Sequence, residues 1–131
     1  MIQVQTKLKV IDNSGVKKGQ AIKIYQGKSG KIGDIILISV KQVQSKSKTN
    51  ILKGNLYKAL IVRTKYKNKG IDSNYTSFDE NSIVLLKNQN LPVASRILGP
   101  VPLQLRKNKQ LKIISLASYI IWIDLHTIIN K

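Results

Sequence analysis

This 131-residue sequence offers six carboxylates and one histidine for acid–base or metal chemistry, and no cysteine. Asp12, Asp34, Asp72 and Asp124 stand apart from one another, and Asp79–Glu80 is an adjacent pair rather than two acids spaced to work across a substrate. Aspartate at the end of an apolar run most often bonds its own backbone, so Asp12 and Asp34 read as turn residues or caps. His126 has no second histidine to share a metal with, and there is no thiolate to act as ligand or nucleophile. Gly27-Lys28-Ser29-Gly30 is too short for a phosphate loop and lacks the Gly-Lys-Ser/Thr ending. The expectation is a chain that is not an enzyme and uses neither cofactor nor metal.

Cations remain. Twenty-three basic against six acidic residues give a net charge of +17, while a hydrophobic fraction of 42% leaves enough apolar side chain for a folded core. Lysines that repel one another without interspersed acids imply a polyanionic partner, and RNA is the first choice. The candidate phosphate contacts are Lys17, Lys18, Lys23, Lys28, Lys31, Lys41, Lys46, Lys48 and Lys53, then Arg63, Lys65, Lys67 and Lys69 around one loop, and finally Arg106, Lys107 and Lys109. Seven aromatic residues make no dense stacking platform, so recognition of the backbone and shape of folded RNA fits better than single-strand binding. A free single-strand RNA-binding module of the OB type is the alternative. A membrane-surface protein is a weaker one, which liposome co-sedimentation would discriminate. Ile113–Ile129 is too short and too polar for a spanning helix, so no membrane span is expected.

The elements that must position these cations are mostly strands. Val4–Ile11 alternates apolar and polar and ends in Asp12-Asn13-Ser14-Gly15, four turn formers that predict a hairpin. Further strands are expected at 21–25, 35–43, 57–64 and 82–86, the run from Ile35 being apolar enough to suggest the central one. Five short strands separated by turns predict a mainly β fold, a small closed or nearly closed barrel over one domain. At Gly99, Pro100 and Pro102 the pattern breaks, and apolar residues at 103, 105, 111, 113, 114 and 116 follow a near-helical period. This segment, from Ser95 to Ala117, holds two of the three arginines and reads as the presented face. Beyond it, apolar residues at 121, 122, 125, 128 and 129 form a helical stripe with Trp122 and Leu125 exposed for a protein partner.

Several short motifs stand in register with a known family. Met1-Ile2-Gln3, Asp12-Asn13-Ser14-Gly15, Gly33-Asp34-Ile35-Ile36, Val62-Arg63-Thr64-Lys65, Phe78-Asp79, Arg96-Ile97 with Gly99-Pro100-Val101, Leu105-Arg106 and Lys112–Ala117 resemble, over residues 1–117, the universal large-subunit ribosomal protein fourteen family of bacterial type. The resemblance implies a five-stranded β-barrel with a basic ribbon and short C-terminal helices. It also implies binding to large-subunit rRNA beside other ribosomal proteins, and contact with small-subunit rRNA at an inter-subunit bridge. Positions matching Ser95, Arg96, Lys112 and Ser115 form, in the family, a protein interface that receives a ribosome-silencing factor. This sequence departs from the family pattern at Ser73 and Glu80, where glycine is usual, and at Ser82, where alanine is. Lys17 and Lys18 fill paired arginine positions and keep charge without the guanidinium fork.

The family ends near Ala117, so residues 118–131 read as an apolar, helical extension docked on a neighbouring protein, with folding back on its own barrel as the alternative. Isoleucine, lysine and asparagine make up 50 of 131 residues, a bias toward A- and T-rich codons, and no targeting segment is visible. With the extension, these features resemble a protein encoded in a mitochondrial genome and working in the matrix on a mitochondrial ribosome, plastid being the lesser possibility.

Overall fold

The computed structural model describes residues 2–44, 51–66, 68–69, 75–87, 91–102 and 117–121, with backbone alone at 68–69, 75–76 and 117–121. Five strands close a barrel in the order β1-β2-β3-β4-β7: β1 (Lys7–Val10), β2 (Val16–Ile24), β3 (Ile35–Val43), β4 (Leu56–Arg63) and β7 (Ser82–Leu86). Neighbours are antiparallel except at the seam, where β1 pairs parallel with β7 through Lys9↔Ser82 and Val10↔Ile83. The mainly β, barrel-forming expectation is met, and β3 and β7 fall on the segments their apolar runs indicate.

Alternation sends Leu8 and Val10 of β1, Ile36 and Ile38 of β3, and Ile83 and Leu85 of β7 into the barrel, and a register shift between Ala21 and Lys23 brings both Ala21 and Ile24 of β2 inside, with Ile2 and Ile51 adding to the same cluster. A small barrel must be filled by side chains and must bend its long strands. At Gly19 on β2 an added Cβ would lie 2.7 Å from Ile38 Cδ1, and the β2–β3 register shifts on both sides of this point, between Val16 and Lys18 and between Ala21 and Lys23. Glycine here lets the strands close over a full interior.

A second cluster covers the outside. Leu60 and Val62 of β4 and Val84 and Leu86 of β7 point away from the barrel interior and are buried with Ile11, Ile32, and with Ile97 and Val101 of β8 (Ile97–Pro102). β4 and β7 are therefore buried on both faces, which is why Ala59-Leu60-Ile61-Val62 and Ile83-Val84-Leu85-Leu86 are unbroken apolar runs. Ile35 and Leu37 of β3 are only half-buried on the outer side. The doubly covered strands are β4 and β7 rather than the run from Ile35.

Two sequence expectations change. The break at Gly99, Pro100 and Pro102 is itself a strand, β8, paired parallel with β9 (Ala117–Ile121). Proline is tolerated because this sheet has only two strands, so an edge is always free, and the register slips between Ile97 and Pro100. The extension expected to be helical from residue 118 is likewise strand up to Ile121. Tyr119, Ile120 and Ile121 are aromatic or β-branched and suit the pleat, and the parallel pairing needs the long crossover that residues 103–116 span. Residues 103–116 and 122–131, where helices are expected, lie outside the described residues. The expected basic ribbon is seen as backbone pairing of β5 (Asn68–Lys69) with β6 (Tyr75–Thr76).

Candidate nucleic-acid interface

Register across β1 and β2 brings like charges face to face. Lys9 is the cross-strand partner of Lys18, and Lys7 stands opposite Gln20 two residues back along β1. Like charges directly opposite each other destabilise a sheet unless an anion comes between them. Lys7, Lys9, Lys17, Lys18 and Lys65 line one open cleft of about 880 Å³, with the amide-bearing Asn13, Gln42, Gln44 and Asn81 among its walls. Asn81 fixes two of the lysines from behind. Its carbonyl oxygen accepts from Lys9 N at 3.1 Å, and its side-chain Oδ1 accepts from Lys65 N at 2.9 Å. Cations held on a rigid strand edge and flanked by amide groups suit a phosphodiester backbone.

Acids share the cleft wall, and one is already engaged. Glu80 reaches Lys9 Nζ at 3.3 Å and Arg63 Nη2 at 2.9 Å. Arg63, expected among the phosphate contacts, is 9% exposed and packs beneath β8. A Cβ at Gly99, whose φ is +81°, would lie 2.7 Å from Arg63 Nη1, so glycine both supplies the left-handed conformation and leaves room for the guanidinium. Burial pulls the Arg63 pKa below its ordinary value and the Glu80 carboxylate opposes that pull. The fork of Arg63 is thus turned inward to a carboxylate, joining β4, the 79–81 loop and β8, and it leaves the phosphate-binding set. Nothing in composition distinguishes such a buried arginine from a surface one. Across the strand pair from it, Ser82 is fully buried, and neither Ser82 Oγ nor Arg63 Nε has a hydrogen-bond partner among the described residues.

The Asp12-Asn13-Ser14-Gly15 turn does more than close a hairpin. Asp12 is buried, its Oδ1 accepting from the Ser14 backbone N–H and hydroxyl and its Oδ2 accepting from Leu85 N at 3.1 Å. Burial raises the Asp12 pKa, and these three hydrogen bonds pull it back down without cancelling the rise. Asn13 turns the other way. Its Oδ1 accepts from Ser95 N at 3.1 Å and Arg96 N at 3.2 Å, and its Nδ2 donates to Ser95 Oγ at 3.1 Å. With Asn13 N donating to Arg96 O and Leu98 N to Ile11 O, the turn fixes the exposed Arg96 and its neighbour Ser95 against the barrel. Asp34 is the turn residue expected, accepting from Lys31 N at 2.8 Å.

The structure thus gathers Lys17, Lys18 and Lys65 of the expected contacts into one cleft and sets Ser95 and Arg96 on a braced edge that adjoins it at Asn13. Lys23 belongs elsewhere, with its Nζ 5.3 Å from the Tyr25 ring, where Lys58 also approaches to 6.0 Å. Lys28, Lys31, Lys41 and Lys53 are exposed away from the cleft lining. Lys69 is described as backbone in β5, and Lys46, Lys48, Lys67, Arg106, Lys107, Lys109, Lys112, Ser115, Trp122 and Leu125 lie outside the described residues. Lys7 and Lys9 escape a reading that looks for cations in loops. They are the outward positions of an alternating strand, and that alternation is the signal that finds them. Among the described residues no group of acids and histidines is arranged to hold a metal, and no helix is long and apolar enough to cross a membrane.

The fold and the site together define a basic, closed five-stranded β-barrel with a lysine-lined cleft. The family model of ribosomal protein L14p/L23e matches residues 1–121, and the chain belongs to that family. Its role is accordingly structural, in the large ribosomal subunit and in translation, within a non-enzymatic class whose partners are rRNA and ribosomal proteins. The match runs past Ala117 to Ile121, the last residue of β9.

Proposed function

We propose that this chain is an rRNA-binding component of a mitochondrial large ribosomal subunit, holding the RNA backbone in the cleft of Lys7, Lys9, Lys17, Lys18 and Lys65. The observation that carries this reading is the gathering of five lysines in one cleft, where Glu80 pairs with Lys9 and an RNA phosphate neutralises the cations left over. The more exposed lysines of the β2–β3 turn and of residues 51–55 add long-range attraction. Ser95 and Arg96, with Lys112 and Ser115, form the face that receives a silencing factor, and the same side of the protein meets small-subunit rRNA at a bridge. Residues 122–131 dock on a neighbouring protein through Trp122 and Leu125. The organelle assignment is supported by the codon bias toward isoleucine, lysine and asparagine. Sucrose-gradient fractionation of separated mitochondria and plastids tests the whole reading: the protein is expected to co-sediment with the mitochondrial large subunit and to leave it at high salt. Recovery in the plastid fraction, or at the top of the gradient, overturns it.

A further inference from the structure

The outer face of the barrel carries a second pattern that RNA does not explain. One cross-strand row runs Lys23↔Leu37↔Lys58↔Leu86 across β2, β3, β4 and β7, alternating cation and leucine. Along β4, Leu56 sits two residues from Lys58 on the same face and is 58% exposed. Leu37, Leu56, Leu86 and Leu91 line a groove of about 570 Å³ that Tyr57 also borders, and its charged walls among the described residues are Lys58 and Lys87. Leu86 also belongs to the buried cluster beneath β8, so the groove continues the protein's own apolar packing out to the surface.

Leucines offer nothing to a phosphate or to a base edge, and the chain's amide-rich basic cleft lies elsewhere. A second copy of this chain is an unfavourable occupant, because two molecules of charge +17 repel and each has only six acids to offer. What matches alternating leucine and lysine is a protein segment that alternates apolar side chains with aspartate or glutamate. Its apolar residues fill the groove and its carboxylates meet Lys58 and Lys87. We infer that this groove docks an acidic, apolar segment of a neighbouring protein in the large subunit, a surface separate from both the lysine cleft and the Ser95–Arg96 edge. The inference rests on the large-subunit role already given.

The chain has no cysteine, so Leu56→Cys places one thiol in the groove. In the free protein that thiol is expected to react readily with a maleimide, and in the purified particle with which the protein sediments its rate should fall at least tenfold. Carbodiimide treatment of the same particle should join Lys58 or Lys87 by an amide bond to an aspartate or glutamate of another protein, mapped by mass spectrometry. Leu56→Asp should abolish that cross-link while leaving the circular dichroism of the free barrel and its co-sedimentation unchanged. Four results overturn the inference: a thiol at position 56 that reacts in the particle as fast as in the free protein, cross-links from these lysines only to Asp124 of the same chain, photo-cross-links to RNA from a benzophenone carried on that thiol, or a carbodiimide cross-link that survives Leu56→Asp. Loss of sedimentation with large subunits in the unmodified protein would instead strike at the functional reading beneath it.

Discussion

Glu80→Gln keeps the size and an acceptor oxygen of the glutamate but removes the charge opposite a guanidinium whose side chain is 11% exposed. Glu80 itself is 34% exposed, so the pair lies between two regimes. Exposed ion pairs contribute roughly 0.2–1 kcal/mol, whereas breaking a buried one costs about 3–5 kcal/mol. A coupling of about 2 kcal/mol between Arg63 and Glu80 follows from interpolating between these limits. With an unfolding entropy of about 2.1 cal/mol/K per residue, that corresponds to a fall of about 7 °C in Tm for a chain of this length. Arg63→Met should cost less than Glu80→Gln, since it removes the buried cation while Lys9 still holds the carboxylate. In the Arg63→Met background Glu80→Gln should then do little. The assay is thermal unfolding of the isolated protein by circular dichroism across the four-member cycle. A coupling below about 0.5 kcal/mol would show that Arg63 is stabilised independently of Glu80, and the account of the lock between β4, the 79–81 loop and β8 would be wrong.

Three further outcomes are expected. Asp12→Asn should destabilise by about 1–3 kcal/mol, because an amide cannot accept at both oxygens and must turn its NH2 toward the Leu85 or Ser14 donors. Because burial raises the Asp12 pKa in the folded state, its ionisation opposes folding. The stability advantage of the native protein over Asp12→Asn in urea titrations should grow as pH falls through that raised value toward 3.8, and a gap independent of pH in that range would contradict the assignment. Ser82→Ala should be neutral or stabilising by up to about 1 kcal/mol in the same titration, since it removes a buried hydroxyl with no partner among the described residues. Arg96→Ala should leave the melting curve and incorporation into the large subunit unchanged while weakening a factor or bridge contact, because Arg96 is held through its backbone and its side chain is exposed. Failure of that variant to assemble would move Arg96 to the RNA-anchoring set.

The barrel is legible where side-chain pattern and turn chemistry agree. Lys7–Val10 announces a strand by period two and its Asp-Asn-Ser-Gly turn, and the runs from Ile35 and Ser82 do so by their shortness, β-branched residues and flanking turn formers rather than by alternation. Which strand is buried on both faces is not legible, since an apolar run looks the same whether β8 covers it or not. Nor is β8 itself: glycine and two prolines deny it a ladder on one side, and only a free edge and the Arg63 guanidinium under Gly99 make the strand possible. Tyr119–Ile121 reads as part of a helical extension in the sequence because a short apolar run fits either period. At the site, charge alone gives the partner class but not the geometry. Arg63 counts as a surface cation until its burial is known, Lys7 and Lys9 are passed over, and Glu80 draws no role from sequence although it pairs with both Lys9 and Arg63. The double use of the Asp12–Asn13 turn depends on contacts more than seventy residues away, which local spacing cannot show.

The salt dependence of RNA binding tests the central claim most directly. Each lysine that neutralises a phosphate releases counterions, so the affinity of the full chain for a folded large-subunit rRNA transcript should fall linearly on a logarithmic scale with salt. The double variant Lys9→Gln/Lys18→Gln should bind more weakly and lower the magnitude of that slope by about 2, near 0.9 per lost phosphate contact. The exposed pair Lys28→Gln/Lys53→Gln, outside the cleft, should change it far less. Equal slopes for the native protein and the Lys9/Lys18 variant, or binding that is flat in salt, would contradict a cleft built to hold the RNA backbone.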